Sequence, residues 1–485
     1  MSVRSRSGAP LALAALLFLS GMAPDAHPSP VSDNQTGLPI GSELDEDAID
    51  NPREVFHSEA VHGHRSYFSN LGNLAFNSPA VLGDAARKAH ISCGSCHVNG
   101  ASNPRLFIPG LSTRPGTFDT TSSLFNPRTD NGVLDPVTIP SLRGARFLGP
   151  YGHDGRTASL RDFVRNVIVN EFAGSEPSPQ ILDAIVIYIE DIDFLPNPNV
   201  DKNGRITAGA NSAQRRGEAL FARPFPHDPS LSCAACHLPS AAFVDNRQHD
   251  IGTGGFYKTP TLLNADFNAP YFHDGRFENY GQVIDHFDHV FDLGLTAQDR
   301  TDLAAYLTAI GDGVRSEYHL TGMNVLADID GFASVLDLAI SRHDTAVVAL
   351  ATHSVGDLLQ DLADHYPDSV DSENSGGAKE RAVARAAIRA LMETLQRLQL
   401  DAAAARFSEA ADEYLNYRKL TSAAAPLALQ TAELWSLFNP ARHAAHQAAL
   451  RQAAQHEAAQ REAAQRDAVV PQAAVRQTMA GAASR

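Results

Sequence analysis

Four cysteines in 485 residues are too few for a disulfide-built scaffold, and one tryptophan and five methionines leave little redundancy for roles that need those side chains. Basic residues are also scarce. Against 56 Asp and Glu stand 39 Lys and Arg, a formal charge of −17, so phosphate recognition by clustered cations is excluded and no nucleic-acid partner is expected. An anionic surface suits a basic redox partner instead. No apolar run reaches the ~20 residues of a spanning helix, so no transmembrane segment is expected in the mature chain. The apolar run that does exist is short: Arg4 and Arg6 precede Pro10 to Leu19, which ends in small residues, the pattern of an export signal. Residues 1–26 therefore read as a signal peptide, giving a periplasmic or secreted protein. The length itself suggests roughly three domains at ~150 residues each.

The few cysteines are informative because all four fall in two copies of one motif, Cys93-Gly94-Ser95-Cys96-His97 and Cys233-Ala234-Ala235-Cys236-His237. Structural disulfides, a thiol redox site or half a zinc site would explain the Cys-x-x-Cys spacing. None explains a histidine directly after it both times. Covalent haem does, because two thiols at this spacing reach the two porphyrin vinyl groups and the next residue then supplies its imidazole to the iron. The expected cofactors are two covalently attached haem c groups, with His97 and His237 as proximal ligands.

A second repeat runs alongside the first. Pro140, Leu142, Pro150, Tyr151, His153, Asp154, Gly155 and Arg156 recur at a constant offset of 120 as Pro260, Leu262, Pro270, Tyr271, His273, Asp274, Gly275 and Arg276. The haem motifs are offset by 140, so the first unit carries 20 more residues, within the Gly/Pro/Ser/Thr/Asn-rich stretch Ala101 to Val137, which reads as a long loop over one haem edge. Each unit closes on amphipathic helices. Ser178 and Pro179 form a cap and first turn before Ile181, Ile185, Tyr188 and Ile189; Thr296 and Asp299 resemble a capping box before Leu303, Tyr306, Leu307 and Ile310. Leu195 to Asn211 reads as a linker, and a helical run over Ala213 to Phe221 opens the second unit. Past Gly313 the haem motif is absent, and a few amphipathic helices are expected over Asn324 to Asp364, Ala378 to Asn416 and Pro426 to Phe438. The tail from His443 has an apolar face made almost wholly of Ala, too small for a firm core.

Two haem motifs, each followed by Pro-x-Leu and Tyr-x-His-Asp-Gly-Arg, resemble the bacterial dihaem cytochrome c peroxidases and MauG over about Arg53 to Gly313. Thr259-Pro260-Thr261-Leu262-Leu263-Asn264 is similar to the family's Thr-Pro-x-Leu-Arg-Asn, with Leu263 in place of Arg. The resemblance implies a mainly α fold: two tandem cytochrome c-type domains, 50–198 and 212–315, then a helical region, 320–440, and a helical or disordered tail, 441–485. In that family one haem reacts with hydrogen peroxide and the other passes electrons from a small redox protein. The same resemblance implies a calcium ion.

Residue by residue, Glu171 in Asn170-Glu171-Phe172-Ala173-Gly174 looks like the family carboxylate that relays protons to peroxide; a solvated helix-end residue is the alternative. Phe287 stands at the apparent ligand position of the second haem and cannot bind iron. His286 ranks first as its replacement, ahead of His289 and Met323. Arg156 and Arg276 suit bidentate pairing with haem propionates, while the Asp-Gly before each also makes a turn. Three readings stay open: peroxide reduction, electron transfer without catalysis, and MauG-like or oxygenase chemistry on a protein or organic substrate.

Overall fold

The computed structural model describes residues 37–44, 51–315, 320–368 and 377–446, with 448, 449 and 452. Residues 1–26, read from the sequence as an export signal, and most of the Ala-rich tail lie outside the described residues. The fold is mainly helical, and the strands among the described residues are two or three residues long.

In the first repeat, α1 (Tyr67–Phe76) crosses α4 (Pro179–Asp191), with the one-turn haem-motif helix α2 (Cys93–Cys96) and α3 (Leu160–Asn166) between them in sequence. Ser178 caps α4 as expected, accepting from the Ile181 amide at 3.3 Å. Of the expected stripe, Ile185, Tyr188 and Ile189 are buried together with Leu182, while Ile181 is only partly buried. The second repeat has the same parts: α5 (Ser212–Phe221), α6 (Cys233–Cys236), α7 (Tyr280–Phe291) and α8 (Ala297–Gly311). The Thr296 and Asp299 capping box is present, and Leu303, Tyr306, Leu307 and Ile310 are buried.

One residue in each repeat makes the helix crossing possible. A Cβ on Gly72 would stand 1.9 Å from the Ala184 carbonyl oxygen, and one on Gly217 would stand 2.1 Å from that of Asp302. Only glycine lets α1 lie on α4, and α5 on α8, at backbone contact. The packing around each crossing repeats as well. Phe76 lies 5.1 Å from Tyr188 and 6.3 Å from His97; Phe221 lies 5.1 Å from Tyr306 and 6.3 Å from His237, ring centre to ring centre.

The two segments read from the sequence as a loop and a linker are largely irregular, and both are packed. Ala101 to Val137 is no open loop, since Leu106, Ile108, Leu111, Phe118 and Phe125 join the core of the first repeat, and β1 (Thr117–Phe118) pairs with β2 (Val137–Thr138). Leu195 to Asn211 is no free linker either. Asn264 bonds both the amide and the carbonyl of Leu195, at 2.8 and 3.4 Å, and Asn197 donates to the Ala309 carbonyl at 2.9 Å. Side-chain amides stand in for the missing secondary-structure partners of that backbone.

The two repeats meet through reciprocal backbone bonds. The Thr138 amide donates to the His273 carbonyl at 2.7 Å, and the Lys258 amide donates to the His153 carbonyl at 2.8 Å. Thr138 and Lys258, like His153 and His273, are 120 residues apart. Each unit therefore gives the other the same donor and acceptor, the pattern of an isologous two-fold contact.

The C-terminal helices, α9 (Gly322–Ala333), α10 (Val335–Ser341), α11 (Thr345–Asp364), α12 (Ala378–Ala403), α13 (Phe407–Lys419) and α14 (Ala425–Ala432), build their own core. That core is continuous with Leu71, Leu74 and Ala184 of the first repeat. Arg53 to Asp328 at 2.9 Å and Ser354 to Ser78 at 2.7 Å fasten the same seam.

Candidate functional site

Each Cys-x-x-Cys forms a single helical turn, which brings both thiols to one side and sets the histidine at its C-terminal edge. The His97 Nδ1 lies 3.0 Å from the Pro140 carbonyl, which gives the Pro-x-Leu element a physical task. Donation from Nδ1 fixes the ring and leaves Nε2 as the ligand atom. In the second repeat the His237 Nδ1 lies 3.1 Å from the Phe243 carbonyl, and the Pro260 carbonyl also bonds the ring. Burial pushes His97 down to about 4 against the opposing Pro140 carbonyl, and burial lowers His237 too. Both imidazoles are thus held neutral, as ligation to iron requires.

The thiols fit haem attachment better than thiol redox chemistry. A redox Cys-x-x-Cys holds its reactive thiol well below the ordinary value. Here burial pushes Cys93 up to about 12 and Cys233 up to about 11, and raises Cys236. The four cysteines form no disulfide.

Glu171 ends a π-helical turn, Val167–Glu171, that prolongs α3, and its side chain is 12% exposed. Its neighbours are the Asn166 amide at 3.5 Å and the Arg156 guanidinium at 3.6 Å. Burial raises its pKa and Arg156 draws it back. Phe172 follows, stacked on Phe118 at 6.1 Å and tilted on Phe125 at 5.1 Å, so the 101–137 segment walls this corner. The structure therefore brings together Glu171 and Arg156, which lie 15 residues apart in sequence.

Arg156 also bonds Asp154 at 3.1 Å, and Arg276 is held by Asp274 through contacts of 2.6 to 3.0 Å. His286 packs among Phe272, Phe277 and Phe287, with its Nε2 2.8 Å from the Ile251 carbonyl. His289 is exposed on the last turn of α7. Met323 is 40% exposed at the start of α9, a helix packed on α1 of the first repeat. Of the three candidates for the second iron, His286 alone is both within the second repeat and partly buried.

Sequence reasoning missed the first of two further features and the burial of the second. Asp245 and His249 form a pair at 2.7 Å beside Cys236; that N, O and S set is not the oxygen shell a calcium ion takes. Arg143 is buried at the boundary between the repeats, with its guanidinium 5.7 Å from the Phe267 ring centre of the second.

Residues 214–312 match the family described as di-haem cytochrome c peroxidase, CCP_MauG. The recognition read from the motifs therefore stands, and this segment belongs to that family. Hydrazine synthase subunit gamma of Kuenenia stuttgartiensis is 24% identical over 358 residues, 61% of this chain and 92% of that protein. Cytochrome c peroxidase Ccp of Escherichia coli (strain K12) is 42% identical over 64 residues, 12% of this chain and 14% of its own length. Cytochrome-c peroxidase IdrP1 of Pseudomonas sp. (strain SCT) is 30% identical over 79 residues, 14% of this chain and 20% of its own. Among solved structures, Kuenenia stuttgartiensis hydrazine synthase aligns at 20% identity and TM-score 0.38, covering 62% of this chain and 100% of that one. A MauG-like protein associated with microbial copper homeostasis aligns at 20% identity and TM-score 0.36, covering 54% and 92%. No helix among the described residues is long and apolar enough to cross a membrane.

Proposed function

We propose that the protein is an exported dihaem c-type cytochrome with two cytochrome c domains, and that it reduces hydrogen peroxide with electrons passed from the second haem to the first. The observation that carries this reading is Glu171, a partly buried carboxylate beside a guanidinium in the first repeat. Haem iron with an open position supplies oxygen–oxygen cleavage and one-electron transfer. The chain's part is the proton. Burial raises the pKa of Glu171 above that of an exposed glutamate and Arg156 opposes the rise, the direction that suits a carboxylate acting as a proton relay. His97 and His237, turned by the Pro140 and Phe243 carbonyls, serve as proximal ligands. Cys93, Cys96, Cys233 and Cys236 are the attachment points.

A second reading has its own support. The match to hydrazine synthase subunit gamma runs over 358 residues, the peroxidase matches over 64 and 79. The same scaffold then serves redox chemistry on a small nitrogen compound within a larger assembly, and peroxide is not its substrate. Ferric spectra with peroxide titration separate the two. One high-spin and one low-spin haem with rapid peroxide turnover support the first reading; an open haem that leaves peroxide intact supports the second. Two low-spin haems leave electron transfer alone.

A further inference from the structure

Arg143 is only 1% exposed. It lies three residues beyond Pro140, whose carbonyl orients His97, and faces Phe267 of the second repeat. One arm of its guanidinium is satisfied: Nη2 donates to the Pro52 carbonyl at 2.6 Å and reaches that of Asn99 at 3.5 Å. Nε and Nη1 are buried with no partner. An unsatisfied buried donor costs about 1–3 kcal/mol, and more when it is charged, so buried cations in folded proteins are paired.

Among the described residues no carboxylate pairs with those two N–H groups. Glu54 is the carboxylate whose field reaches Arg143, yet its Oε1 accepts from the Tyr188 hydroxyl at 3.1 Å. Arg315, 5.0 Å from the same Phe267 ring, adds a second positive charge. Burial pushes Arg143 down to about 10, which Glu54 opposes. The arginines of the two Asp-Gly-Arg blocks differ on this point, because Asp154 and Glu171 already face Arg156, and Asp274 holds Arg276. The repeat itself sharpens the contrast: 120 residues on, Arg143 becomes Leu263.

We propose that Arg143 pairs through its unpartnered N–H groups with a haem propionate at the boundary between the repeats, and so sets the two haems to unequal reduction potentials. The inference rests on the haem reading above and is independent of the substrate. A fixed cation beside a haem stabilises the reduced form, whose charge is more negative, and raises the potential. Leu263 gives the other repeat no such cation at the equivalent position.

The test is a redox titration of the haem-loaded parent, Arg143→Gln and Arg143→Lys, after the denatured mass has established two haems in each. In Arg143→Gln one midpoint should fall until the ferrous-to-ferric ratio at a fixed potential drops about tenfold, 59 mV for one electron. That midpoint should also become pH-dependent as the released propionate takes up protons, and Arg143→Lys should restore most of the parent value. Arg143→Gln with two haems and both midpoints unchanged overturns the proposal. Should that variant fail to fold, the parent decides. One midpoint flat between about pH 5 and 8 fits a propionate held ionised; a slope at both haems overturns it. A mass short of two haems overturns the haem reading instead.

Discussion

The first and second repeats share a skeleton and differ in what hangs from it. In both, a glycine lets two helices cross, a phenylalanine and a tyrosine pack at the crossing 5.1 Å apart, and the haem-motif histidine lies 6.3 Å from that phenylalanine. The first repeat then places Glu171 beside Arg156, buries Arg143 and shares its core with the C-terminal helices. The second has Leu263 for Arg143 and a cluster of Phe272, Phe277, His286 and Phe287. Backbone geometry is what the repeats hold in common; charge and proton chemistry are what separates them.

The sharpest way to break that asymmetry is Glu171→Gln. Peroxide turnover should drop ~10²–10⁴-fold, the usual worth of a general acid-base group, while both haem spectra persist. Stopped-flow peroxide consumption measures it, and unchanged turnover returns Glu171 to an ordinary helix-end residue. The shared skeleton is tested by Gly72→Ala and Gly217→Ala. Each new Cβ meets a backbone carbonyl about 2 Å away, which the crossing cannot absorb, so each should cost about 3 kcal/mol or more in denaturant unfolding. A change under about 1 kcal/mol in either would mean that its crossing is not glycine-dependent.

A smaller effect is expected from His286→Ala. If His286 ligates the second iron, one low-spin ferric signal becomes high-spin with the other unchanged; a spectrum like the parent's passes the assignment to His289 and then Met323. The smallest concerns pH. Burial holds the folded pKa of Glu171 above its unfolded value, so in the interval between them the native state binds more protons than the unfolded one. Its contribution is present below the unfolded value and is lost as pH rises through the folded value. Relative to Glu171→Gln, the parent should lose stability as pH climbs above about 4, seen as a narrowing gap in denaturation midpoints.

Much of the site was readable because covalent chemistry demands fixed spacing. Cys-x-x-Cys-His and the 120-residue offset need no tertiary information, and neither do the caps at Ser178 and Thr296. The crossing glycines were missed for a definite reason. Gly72 and Gly217 lie 145 residues apart, an offset different from that of either motif, because the segments joining helix to haem motif differ in length. Apolar stripes in the C-terminal helices announced a buried face but not its partner, and half of that seam is Leu71, Leu74 and Ala184. Arg143 was invisible as a buried group because charged side chains are almost always exposed, and composition cannot say which one is trapped.

The boundary between the repeats is held by main-chain groups, Thr138 to His273 and Lys258 to His153. The amides of threonine and lysine do the same work there, and each side chain adds a cross-repeat bond of its own, Thr138 Oγ1 to the Phe272 carbonyl at 3.0 Å and Lys258 Nζ to the Leu148 carbonyl. Mutation can rewrite the residues on either side without cutting the main-chain bonds, so two halves that began alike are free to drift toward different tasks while their docking is inherited intact.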